Sequence, residues 1–203
     1  MTAADQTAAD MTAADQTADL RLYLQSARDA LLWKLEGLSE YDLRRPMVPT
    51  GTNLLGLVKH MAGVEAGYLG DTFGRPFPET LPWMEDDAED NADMWATLDE
   101  RSADIVALYR RVWAHSAVTL ETVPLHGLGR VAWWPEDRNT VTLHRILLHL
   151  ISETHRHAGH ADIVRELLDG AAGMRQGNSN LPPAEADWWA GYHDRLEQVA
   201  RDA

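Results

Sequence analysis

The sequence predicts an all-α protein, a bundle of four main helices with an additional C-terminal helix and long cross-connections. Three observations carry this. Apolar residues recur at helical spacing over five long segments. Capping residues and stop glycines bound those segments. No run of alternating apolar and polar residues marks a sheet; "GRVAWW" could form one short extended piece, and a lone strand makes no sheet.

The elements follow in order. The chain opens on a duplication, "MTAADQTAAD" then "MTAADQTADL". This segment has little to bury, so residues 1–18 are expected to be disordered or frayed, and Met11 is an alternative start. Residues 19–203 then read as one helical domain. The first helix spans 19–37, with Leu20, Tyr23, Leu24, Ala27, Leu31 and Leu35 at helical spacing and Gly37 as its stop. The second spans 53–70, with Asn53 as N-cap. A loop containing Pro and Gly leads to a long third helix over 91–119, entered from the acidic "EDDAEDN". The fourth spans 140–169 and stops at Gly170, and the last covers 183–201.

Composition narrows the functions. The 203 residues include 32 acidic and 18 basic side chains, for a net charge of −14. Binding to nucleic acid depends on neutralising phosphates with Lys and Arg, so nucleic acid and anionic membranes are poor partners. Apolar runs are too short to span a bilayer and no secretory signal is visible, so the expected location is cytoplasmic. With no cysteine, the chain has neither disulfides nor its own thiol nucleophile; a thiol in its chemistry would arrive on a substrate.

The stretch "HLISETHRHAGH" carries the most chemistry. At 100° per residue, with His149 at zero, Glu153 falls at about 40°, His157 at about 80° and His160 at about 20°. Ile146, Leu150, Val164 and Leu168 share that arc, whereas His144 and His155 point away. A carboxylate and an imidazole one turn apart can present two ligands to one ion, as Glu153 and His157 would. His60 is the candidate third ligand, on a helix face that also carries Gly56, Gly63 and Gly67. Mid-helix glycines cost about 1 kcal/mol each relative to Ala, so close packing or room for a ligand was needed there. The spacing also admits a plain hydrogen-bonded core and a solvated Glu–His pair.

"TGTNLLGLVKH", "FGRPFP", "WWPE" and "TLHRILLHLISETHRHAGHADIVREL", in this helical order, resemble the DinB-like four-helix family, in its mycothiol-dependent branch of actinobacteria. The resemblance runs through nearly the whole chain from Asp19. It implies an up–down–down–up bundle and a metal held by His60, Glu153 and His157. Glu at the second position matches the thiol-dependent maleylpyruvate isomerases. No large C-terminal domain of the isomerase kind is evident, which favours an S-transferase.

The function so implied is metal-dependent thiol transfer, with mycothiol as cosubstrate, activated as a metal-bound thiolate that attacks an electrophilic small molecule. Zn²⁺ suits the ligand set, with Ni²⁺, Mn²⁺ and Fe²⁺ as alternatives. A metal-dependent hydrolase on the same site and a non-enzymatic metal- or ligand-binding stress protein are the competing readings. His149 and His160 are candidates for proton transfer or for supporting the ligands, or else buried core histidines. Trp133 and Trp134 either wall the pocket or form a packing corner. Arg156 binds a carboxylate or sugar, or is a surface arginine. A homodimer is compatible with the bundle.

Overall fold

A computed structural model of the chain describes residues 3–203, with side chains from residue 16 onward. Helix α1 runs from Ala3 to Trp33. It starts well ahead of Asp19, and the fraying expected over 1–18 falls largely on residues outside the described side chains. Its end lies short of Gly37. The amides of Lys34, Leu35 and Glu36 bond three residues back, to Leu31, Leu32 and Trp33, and this tightening ends the helix. Gly37 still supplies the left-handed turn that follows, at φ 75°. A short helix that periodicity did not reveal, α2 (Glu40–Arg44), begins at Ser39, whose hydroxyl accepts from the Asp42 amide at 3.1 Å.

Helix α3 (Leu54–Glu65) starts as expected on Asn53, whose side-chain oxygen accepts from the Gly56 amide at 2.8 Å. It continues as a wide π turn over Ala66–Gly70 and a 3-10 turn over Asp71–Phe73.

The long third helix is shorter than predicted. Helix α4 spans Ser102–Thr122, and residues 91–101 carry one 3-10 turn, Ala92–Met94. Asn91 sits in the left-handed region at φ 62° and Trp95 is extended, so no helix can run through them. The Arg44 guanidinium donates to the carbonyls of Ala96, Thr97 and Glu100, taking acceptors that a helix would need for its own amides.

The extended piece at "GRVAWW" has a partner after all. Strand β1 (Leu128–Arg130) pairs antiparallel with β2 (Thr140–Thr142), with Gly129 opposite Val141. β2 therefore takes the first residues assigned to the fourth helix. Thr142 then caps α5 (Leu143–Asp169), accepting from the Arg145 amide at 3.2 Å, and Gly170 closes it at φ 77°. Helix α6 (Ala186–Asp202) has no buried residue; Trp188 and Tyr192 stack on each other along it at 5.2 Å.

Contacts fix the bundle's directions. Leu24 packs with Leu143 and Leu147, and Lys34 meets Asp162 at 2.5 Å, so α1 and α5 run parallel. Tyr68 meets His149 and His60 meets His157, so α3 and α5 are antiparallel. Lys59 bonds Glu100 just before α4, and Thr119 bonds the Leu69 carbonyl near its end, so α3 and α4 are parallel. Arg21 reaches the Leu120 carbonyl and Arg28 lies over Trp113, so α1 and α4 are antiparallel. The order is up–down–down–up.

Leucines of α1, α3 and α5, with Met61 and Tyr109, fill the interior. Charged groups are buried within it as well. Arg28 and Glu65 form an ion pair, 5% and 0% exposed, between α1 and α3. Lys34 reaches Asp162 and the Gly173 carbonyl, and burial pulls its pKa below the ordinary lysine range despite those partners. Among the described residues no helix is long and apolar enough to cross a membrane.

Candidate metal centre

The antiparallel pair α3 and α5 brings three of the sequence candidates together. His60, Glu153 and His157 each offer a ligand atom, and these atoms lie within 4.8 Å of one another. His157 Nε2 stands 3.1 Å from Glu153 Oε1, one turn apart on α5, and the His60 and His157 rings meet edge-on at 4.7 Å. Helical phase thus aims both α5 residues at α3, as the sequence predicts.

The surroundings suit a cation. His157 is buried, and its Nδ1 has no hydrogen-bond partner. Burial, reinforced by the neighbouring His60 ring, lowers its pKa and keeps it in the neutral, lone-pair form that ligates metals. One carboxylate and two imidazoles are a donor set that a divalent ion satisfies, and the residues present fit such an ion.

Beside the trio lies a cleft of about 920 Å³, lined in part by His60, Glu153, His149 and Trp133. The glycines of α3 find their explanation here. A Cβ on Gly67 would come within 2.9 Å of the Trp133 ring, and one on Gly63 within 2.5 Å of Met84 Sδ. Both Trp133 and Met84 line the cleft, so these glycines let its walls close on the helix. A Cβ on Gly56 would overlap the Met94 carbonyl, so this glycine admits a loop backbone instead.

The other candidates separate. His149 lines the cleft and packs edge-on against Tyr68 and Trp134, at 4.7 and 5.5 Å. Its ring nitrogens make no hydrogen bond to the described residues. His160 is exposed, outside the cleft lining, with its ring 5.5 Å from that of His157. Trp133 is a cleft wall, 53% exposed. Trp134 sits behind it as a packing residue, its indole N–H donating to the Tyr68 hydroxyl at 3.1 Å. Arg156 is exposed and takes no part in the lining.

Sequence reasoning missed two kinds of residue. One is the set of carboxylates on the cleft wall, Asp71, Glu79, Glu85 and Asp86, which no Lys or Arg accompanies in the lining. Burial raises the pKa of Asp71, against the opposing pull of His115, whereas Arg111 behind the wall pairs with Glu79 and lowers its pKa. The other is Asp93, whose Oδ2 lies 2.6 Å from His60 Nδ1. It follows the acidic run that reads as a helix start, and no local spacing ties it to His60.

The model of the mycothiol-S-transferase family matches residues 19–170. No curated protein matches the chain.

Proposed function

The chain belongs to the mycothiol-S-transferase family, a DinB-like family, and on that premise we propose that it transfers the thiol of mycothiol to an electrophilic small molecule with the help of a divalent metal, zinc by preference. The observation that carries the metal requirement is the convergence of His60, Glu153 and His157 at the edge of the cleft. When bound there, the metal would lower the pKa of a thiol beside it, supplying the nucleophile that a chain without cysteine lacks.

The chain's own groups divide the remaining work. His157, held neutral by burial, offers a lone pair, His60 a second imidazole nitrogen and Glu153 a carboxylate oxygen. His149, with its ring nitrogens unengaged in the cleft, accepts the thiol proton. The thiol sulfur then forms a bond to the electrophilic carbon as the leaving group departs with its electron pair. Trp133 and Met84 hold the apolar part of the electrophile against α3.

Purified protein should conjugate mycothiol to a reactive electrophile, and complete removal of metal by a chelator should reduce the rate to background, with Zn²⁺ restoring it. Equal rates before and after metal removal overturn the metal requirement. Turnover of esters without any thiol would replace transfer by hydrolysis.

The acidic wall adds a preference. Electrophiles that share a reactive group but carry a trimethylammonium, no charge or a carboxylate should rank in that order in kcat/KM. The two ends should differ by about tenfold or more at low salt and converge as ionic strength rises. A carboxylated electrophile that reacts best would contradict the reading of the wall.

A further inference from the structure

We propose that Asp93 is the positioning residue for the metal ligand His60. It would fix the ring's tautomer and rotation from a loop that the rest of α3 clamps in place. This rests on His60 being a ligand.

The first observation is chemical. A carboxylate oxygen accepts hydrogen bonds, so the 2.6 Å contact with Asp93 Oδ2 calls for a proton on His60 Nδ1. Nε2 is then the nitrogen left with a lone pair. A ligating histidine whose other ring nitrogen donates to a carboxylate is held in orientation and made more basic towards the metal. Of the two ligating imidazoles, His60 is the one with such a partner, since His157 Nδ1 has none.

The second observation is structural, and independent of the first. The segment around Asp93 has no long element to hold it, only the 3-10 turn Ala92–Met94 entered through the left-handed Asn91. The N-cap and two residues of the helix that carries His60 hold it. Asn53 Nδ2 donates to the Met94 carbonyl at 3.1 Å, and Lys59 Nζ donates to the Trp95 carbonyl at 3.0 Å. Between them Gly56 leaves the space the Met94 carbonyl occupies. Lys59 is 3% exposed, and its ammonium also meets Glu100 and lies over the Trp83 ring, so its hold is itself supported. The residue before His60 and those one and two turns earlier thus set the height at which Asp93 meets His60. One helix carries the ligand and also grips the loop that orients it.

The test uses the full chain with Zn²⁺ alone as probe, and reads affinity rather than turnover. Asp93→Ala should weaken the Zn²⁺ Kd by about 10–100-fold. Asp93→Asn, whose side-chain oxygen still accepts from Nδ1, should lose less. Asp90→Ala removes a carboxylate from the same acidic loop and should leave Kd within about twofold, as expected if orientation rather than bulk charge matters. In the metal-free protein, ¹⁵N spectra should show His60 protonated at Nδ1 in the wild type and as a tautomer mixture in Asp93→Ala. A wild-type Kd in Asp93→Ala, or an equal loss in Asp90→Ala, overturns the role of Asp93 while the metal site stands. Wild-type protein that binds no Zn²⁺ overturns the metal reading itself. The tautomer comparison then decides by itself whether Asp93 governs the His60 ring.

Discussion

His157→Ala should lose its metal and, with it, thiol transfer. The expected drop in activity exceeds about 100-fold, because even an outer partner of a ligand commonly contributes 10–100-fold to affinity or activity. His157 is the central member of the trio: it touches Glu153 and His60, and it is the most buried of the three. With it gone, two donors remain, on different helices, and two protein ligands hold a divalent ion weakly. Elemental analysis should give about one metal per chain in the wild type and background in the variant. Circular dichroism separates loss of a ligand from loss of the fold, and the helical spectrum should be unchanged. The ligand assignment is wrong if His157→Ala retains full metal occupancy.

The second large effect is on stability. Glu65 lies at the end of α3, fully buried, with Arg28 Nε donating to it at 3.0 Å and a second guanidinium nitrogen also in contact. Glu65→Ala leaves the Arg28 guanidinium buried without its counter-charge, which costs about 3–5 kcal/mol. The Tyr109 hydroxyl, buried without a partner, cannot compensate, because it bears no charge; burial first and the Glu65 carboxylate second hold its pKa far above the usual phenol range. Replacing both members, Arg28→Met with Glu65→Leu, should recover most of the loss, since apolar residues of similar volume often serve as well as a buried pair. Denaturation midpoints at constant m-value distinguish the cases. A single Glu65→Ala variant as stable as the wild type would show that the pair is not solvent-excluded in solution.

The fold and the pairing of Glu153 with His157 were legible because their signals are local, whereas His60 was a candidate third ligand that the resemblance assigned. Asn53, Thr142 and Gly170 mark helix ends by side-chain chemistry and backbone freedom, and α5 alone carries Glu153 and His157 in phase. The third helix was overextended because its acidic lead-in looks like a helix start. The carbonyls of that segment are instead captured by Arg44, far back in sequence. Strand β1 was visible, yet its partner was hidden in three residues that also satisfy a helix pattern. Asp93 lies 33 residues beyond His60 and reaches it only through tertiary packing against Asn53, Gly56 and Lys59. The glycines of α3 left packing and ligand space open as alternatives. Both hold, since the packing partners of Gly63 and Gly67 are themselves cleft walls.

The π turn over Ala66–Gly70 bears on how this sequence can change length. In an uninterrupted α-helix Tyr68 would point about 80° away from His60. Bonds from i to i+5 turn the chain less per residue, which swings Tyr68 back towards the face that His60 uses. Deleting Leu69 or Gly70 would restore regular winding with Tyr68 still eight residues from His60, and so rotate Tyr68 off the cleft. Insertions and deletions between His60 and Gly70 are therefore more disruptive than substitutions, whatever the side chains involved.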